Sequence, residues 1–261
     1  MDDMIPQVSA AEQVPRYPPV WRVAGGVLWS ALALRQRSFV RDARRAVAGL
    51  RPPVEVVGGE HVPATGPCLI ACNHYSRPGF QTWWVALAIT AAMAERRAPG
   101  ADAEIYWVMT AAWRFEKSRW RQRFLSPLSL WAFARVARVY GFVTMPPMPP
   151  DPKETQERTV AVLRTVRLAR RLARTGGVLA LAPEGRDVPV GLAELPTGAG
   201  TFLALLVEAG MPVLPAAVTE SGGRLRVSFG LPFVPTIPAS KAERDAAVAE
   251  QVMAAIARVM A

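Results

Sequence analysis

The chain has 261 residues, 51% of them hydrophobic, and 31 basic against 21 acidic residues give it a formal net charge of +10. That length supports one large α/β domain with a proper core and leaves two independent domains cramped. With only His61 and His74, and with Cys68 and Cys72 outside any C-x-x-C pattern, a histidine-rich or cysteine-based metal site is excluded.

Residues 1–18 are rich in proline and polar side chains, show no periodicity and read as a disordered tail. Asp2 and Asp3 stand where a secretory signal would be basic. The apolar run Val20 to Leu34 is interrupted by Arg22 and falls short of the eighteen or more residues of a spanning helix. Arg35, Arg37, Arg41, Arg44 and Arg45 follow it, so residues 19–50 read as an N-terminal amphipathic helix lying on anionic headgroups. Two β signals come next, Val54–Val57 and Cys68–Cys72, the second with both thiols on one face as small core residues. Phe80 to Arg97 is rich in Ala and Trp and reads as helix, and Ile105–Thr110 as strand. Trp113–Leu125 is a basic aromatic helix, and Ser126–Pro127 supplies a cap and first-turn proline for another that ends at Gly141. Met145–Pro152 holds five prolines and is a loop. Glu154–Arg174 is an arginine-studded helix closed by Gly176–Gly177. The apolar run Val178–Ala182, a helix from Thr201 to Glu208, strands Val213–Val218 and Leu225–Phe229, and a terminal helix Lys241–Ala261 complete the chain. Alternating strands and helices predict an α/β fold in which residues 51–261 form a single domain, a mostly parallel central sheet covered by helices.

Two strand ends carry chemistry. The run CNHYSRPGF (Cys72 to Phe80) takes an apolar strand into Asn73 and His74, then a turn, then a helix. The run LAPEGRD (Leu181 to Asp187) takes another into a turn bearing Glu184, Gly185 and Arg186. Carboxyl ends of strands in such a sheet are where ligands bind. Glycine lets backbone approach a ligand, and the forked donors of arginine suit a phosphate. A third run, GMPVLPAAV (Gly210 to Val218), enters a strand through two prolines. Gly198–Ala199–Gly200 lacks the third glycine of a dinucleotide fingerprint, and neither Ser76 nor Ser221 has a nucleophile-elbow context.

In order and spacing, residues 50–235 resemble the glycerolphosphate and lysophosphatidic acid acyltransferases of the PlsC type. The resemblance is carried by the Gly-x-Glu-x-x-Pro lead-in (Gly58 to Pro63), the Asn73–His74 pair, the Pro183–Glu184–Gly185 turn and the Pro-Val-x-Pro strand (Pro212–Pro215). It implies transfer of a fatty acyl group from acyl-CoA or acyl carrier protein to a hydroxyl of a (lyso)phospholipid or related lipid, without a resident cofactor. His74 would be the general base, with Asn73, Arg77, Glu184, Gly185 and Arg186 around the substrates.

The chain departs from that family at three places. The family follows its His after four residues with an Asp, and here that position is Gly79. A carboxylate behind a catalytic imidazole sets its tautomer, and losing it in the serine-protease arrangement costs about 10⁴ in rate; Glu184 and Asp187 are the nearest acids by motif. The family's second motif ends a strand with an Arg for the acceptor phosphate, where this chain has Met145 or a proline. The third motif reads Glu-Gly-Thr-Arg in the family, whereas Arg186 follows Gly185 directly. These departures leave an alternative, a lipid-binding protein that kept the fold and lost the acid partner.

The segment Trp113–Tyr140 interleaves aromatics with Arg114, Lys117, Arg119, Arg121 and Arg123, a pattern suited to a headgroup interface or to single strands. A nucleic-acid binder would have no use for the paired strand-end motifs. The partners implied are an anionic membrane surface, the acyl donor and a lipid acceptor, with no nucleic acid, and the place implied is the cytoplasmic face of the inner membrane, attached peripherally.

Overall fold

The computed structural model describes residues 17, 21–33, 35–98, 104–115, 118–149 and 151–261; the rest of the predicted 1–18 tail lies outside them. Seven strands form one sheet: β1 (Glu55–Val57), β2 (Cys68–Cys72), β3 (Ile105–Thr110), β4 (Val143–Met145), β5 (Val178–Leu181), β6 (Val213–Ser221) and β7 (Arg224–Phe229). Their order is β1-β7-β6-β2-β5-β3-β4. Every neighbouring pair is parallel except β6–β7. That hairpin turns on Gly222 and Gly223, both at positive φ, which is what a two-residue turn between twisted strands requires.

The helices are α1 (Trp21–Leu32), α2 (Phe39–Val47), α3 (Trp83–Ala94), α4 (Arg119–Tyr140), α5 (Thr155–Thr175), α6 (Ala199–Glu208) and α7 (Lys241–Met260). They cover both faces of the sheet, and β2 shows why its sequence is apolar throughout. Cys68, Ile70 and Cys72 join the core beneath α2 and α3, while Leu69 and Ala71 join the one beneath α5, α6 and α7. A strand buried on both sides has no solvent face to mark by alternation.

Three elements differ from the sequence reading. Where residues 19–50 read as one helix, the described residues form two, α1 and α2. The break is set by Asp42, fully buried, whose carboxylate takes Nε and Nη2 of Arg37 at 2.8 and 2.7 Å and the Tyr140 hydroxyl at 2.8 Å. A buried charge must be paired, and bringing Arg37 back over α2 requires the chain to turn just before it. Ser38 caps α2, its hydroxyl accepting the Arg41 N–H. Phe39, Val40, Ala43 and Ala46 of α2 are buried, so the domain core begins before residue 51.

The second difference is at Ser126–Pro127, where α4 runs through. Ser118 is its cap, and Pro127 lies inside on an exposed face, where water can take the carbonyl that loses its partner. The third is Tyr17, which sits against Phe80 and Trp84 with ring centroids 4.8 and 5.3 Å away.

Candidate active site

β2 and β5 are parallel neighbours, with Ala71 opposite Leu181, so the chains leaving them emerge side by side. The two motif turns are therefore together by topology, and main-chain bonds then lace them. The Val188 N–H donates to the His74 carbonyl at 3.0 Å, and the Ser76 N–H donates to the Val188 carbonyl at 3.1 Å.

Glu184 is the pin of this arrangement. Its side chain is buried, with Oε2 accepting the His74 N–H at 2.8 Å and Oε1 accepting the Ala193 N–H at 2.9 Å. Burial pushes its pKa up, and those two N–H donors offset part of the rise. With both oxygens used, Glu184 shapes the turn that presents His74 and is not turned toward a ligand. Asn73 is likewise internal: its amide donates to and accepts from Val218 at 2.9 and 2.8 Å, tying β2 to β6.

His74 itself points its enclosed Nδ1 at Asp187, 3.0 Å from Oδ1. The oxygen lies off the line along which a ring N–H points best. The Asp187 side chain is 62% exposed. Thr82 donates to the same oxygen at 2.8 Å. The pKa of Asp187 is held below its ordinary value, foremost by the pairing with His74; burial opposes this and the Thr82 bond supports it. With Nδ1 enclosed, Nε2 is the nitrogen left for a substrate proton.

So an acid stands behind the imidazole, though not from the position five residues on. Counted without a gap, Asp187 occupies the place of the Arg in the Glu-Gly-Thr-Arg pattern, and Arg186 that of the Thr. The order Glu-Gly-Arg-Asp held this signal, but only proximity in space gives it meaning. Gly79 adopts φ +84°, and a Cβ there would come within 3.3 Å of Arg77 Nη1. Arg77 makes a two-pronged ion pair with Glu220, which also accepts the hydroxyls of Tyr17 and Tyr75 at 2.6 and 2.7 Å. Burial raises the Glu220 pKa more than any other single influence, yet Arg77 and the two tyrosines together bring it below its ordinary value. Tyr17, Tyr75 and Glu220 are thus supports of the His74 turn that sequence reasoning missed; a tyrosine in a proline-rich tail gives no local hint of it.

Arg186 is exposed, with no hydrogen bond or ion pair to another described residue, and Gly185 beside it is at positive φ, with Met148 near its missing side chain. Beyond the end of β3, Arg114 pairs with Glu154 and bonds the Pro149 carbonyl. Arg158 bonds the Pro147 carbonyl at 3.0 Å and lies 3.7 Å from Met148 Sδ. Two clefts among the described residues lie away from this site: one of 320 Å³ between α2, β1 and the far half of α3, and one of 270 Å³ along the arginines of α5. Among the described residues no cluster of three or more metal-binding side chains occurs.

A model of the acyltransferase family matches residues 53–219, a stretch that includes both turns. Among solved structures, the chain is similar to the 1-acyl-sn-glycerophosphate (LPA) acyltransferase PlsC from Thermotoga maritima. The TM-score is 0.51 at 17% identity, covering 91% of this chain and 88% of that one, a likeness of fold. No curated protein matches it. With the family model spanning well over half its length and the paired turns inside the match, the chain belongs to the acyltransferase family.

Proposed function

We propose that this protein transfers a fatty acyl group from a thioester, acyl-CoA or acyl carrier protein, to a lipid hydroxyl, with His74 as general base and Asp187 as the residue that positions it. The observation that carries this reading is the 3.0 Å approach of Asp187 to the enclosed Nδ1 of His74. In the step, Nε2 takes the hydroxyl proton as the oxygen attacks the thioester carbonyl. The C–O bond forms, the C–S bond breaks, and the imidazolium returns its proton to the departing sulfur, leaving ester and thiol. No acyl-enzyme and no cofactor is needed. An acid beside the base favours this reading over the alternative, a non-catalytic lipid binder that kept the fold.

The substrates point to work at a membrane surface, and the outside of the protein supports that. Leu28, Trp29 and Leu32 on α1 and Trp120, Phe124, Leu128 and Trp131 on α4 are large exposed apolar side chains. α1 and α4 pack together, Arg135 of α4 donating to the Ala31 carbonyl, and exposed Arg35, Arg119, Arg121 and Arg123 flank the patch. Apolar side chains rimmed by arginines suit peripheral attachment to anionic headgroups. Among the described residues no helix is long and apolar enough to cross a membrane.

The test is release of free thiol from acyl-CoA in the presence of lipid acceptors, wild type beside His74→Ala. We expect kcat to fall by about 10²–10⁴ in the variant. Equal rates from the two proteins would remove His74 from the chemistry.

A further inference from the structure

We infer that the acyl donor is a carrier protein, an acidic partner that docks on the arginine face of α5 and feeds its thioester arm to the His74 turn. This rests on the acyl-transfer reading above and chooses between its two donors.

The solvent face of α5 carries charge of one sign. Arg164, Arg167, Arg170, Arg171 and Arg174 are all exposed, and none of their guanidinium groups is bonded to or paired with another described residue. No acidic residue stands between Glu157 and Glu184 in the sequence. Residues three and four apart on a helix lie side by side, so these like charges repel and weaken α5 for as long as nothing compensates them. The excess is local. Arg244 of α7, which covers the same face of the sheet, is paired with Glu208 and Asp245.

Shape separates a protein from a small anion here. The 270 Å³ groove along the stripe is lined by Arg164, Arg167, Leu168 and Arg171, all from α5, with no second described element closing over it. A nucleotide such as the one in CoA is held in a concave, enclosing site. A convex helix face with Val160 and Leu163 exposed beside the arginines suits a protein surface instead. Position separates a soluble partner from a membrane. α5 packs through Val166, Ala169 and Leu172 on one face of the sheet, while Ala31 of α1 and Val139 and Tyr140 of α4 join the core on the other. With the α1–α4 patch on lipid, the stripe is left to the aqueous side.

The stripe is also within reach of the chemistry. Arg158, near the start of α5, bonds the Pro147 carbonyl and approaches Met148, which lies 3.1 Å from where a Gly185 side chain would begin. From Arg158, Arg164 and Arg167 are about 9 and 14 Å further along the helix. A pantetheine arm of about 13 bonds spans roughly 15 Å when extended, at the reach of a backbone with three bonds per residue. A carrier seated at this end of the stripe can therefore place its thioester at the turn.

Protein carrying both Arg167→Glu and Arg171→Glu is compared with wild type, using octanoyl carrier protein and octanoyl-CoA as donors to one lipid acceptor. We expect kcat/KM with the carrier-protein donor to fall at least about tenfold, through KM, with octanoyl-CoA unaffected. Equal losses with both donors, or no loss with the carrier protein, overturn the inference. Binding is read separately by calorimetry of octanoyl carrier protein with full-length His74→Ala protein. The two reversals should weaken Kd at least about tenfold, and salt should weaken binding to the unreversed stripe; unchanged binding overturns the inference. Sedimentation with phosphatidylglycerol vesicles covers the other occupant: vesicle binding lost on reversal makes α5 a membrane face and also overturns it. Absence of wild-type turnover with either donor strikes the acyl-transfer reading, while calorimetry still decides the dock.

Discussion

The two edges of the central sheet treat buried polar groups in opposite ways. At the amino edge, buried Arg97 spends Nη1 on the Pro63 and Gly66 carbonyls and Nη2 on the Gly176 carbonyl, leaving only Nε unpaired. That end is closed by its cation, which ties the loops entering β2 and β5 together. At the carboxyl edge the same two strands run out into His74 and Asp187, where Glu184 holds the His74 turn and Asp187 lies 3.0 Å from the imidazole Nδ1. The sheet is clamped at one end and poised at the other. A residue that spends most of its donors on the fold contributes to stability, and one held in place by its neighbours with a nitrogen open to a substrate can do chemistry.

Three substitutions would break or sharpen that contrast. The largest expected effect is at the closed edge: Arg97→Ala leaves three carbonyls without their donor and should cost about 2–4 kcal/mol in denaturant unfolding. Activity per folded molecule should be unchanged, and a selective loss of kcat would show that the two edges are not separate.

Next comes Asp187→Asn at the open edge. We expect kcat to drop roughly 10²-fold with KM unchanged, less than the about 10⁴ of a buried triad acid because this carboxylate is largely exposed and screened. The sign with pH follows from its lowered pKa. The ionised form's link to His74 is present above the unfolded value and lost only as pH falls through the lower folded value. The variant should therefore trail the wild type in rate from about pH 5 upward. An unchanged rate would make Asp187 a bystander.

Smallest is Gly79→Asp, which writes the expected acid back into its sequence position. Here φ of +84° strains any side chain, and the new Cβ would crowd Arg77. It should lower stability by about 1–2 kcal/mol without raising activity. A rise in rate would show that the turn relaxes and that the acid's place is not dictated by the Arg77–Glu220 pair.

Much of the fold was legible in the chain. β3 and the helices near residues 155–175 and 241–260 are where periodicity and caps put them, because those signals are local. The failures share a cause. The N-terminal helix breaks because a buried Asp42 needs Arg37 and Tyr140, and Tyr140 lies 98 residues away. The tail residue Tyr17 is held by Glu220, more than two hundred positions on. Ser126–Pro127 has the right chemistry for a helix start, and exposure of that face lets the helix continue instead.

The same division runs through the site. Sequence alone determined that His74 and the Glu184–Asp187 run end two apolar strands, since an apolar run followed by a polar turn is written in consecutive residues. Tertiary structure alone decided which carboxylate stands behind the imidazole and which arginines are already engaged. Those facts depend on strand order, because the turns that follow β2 and β5 meet through residues far apart in the chain, Thr82 and Asp187 being 105 positions apart. Only their parallel pairing sets one turn against the other.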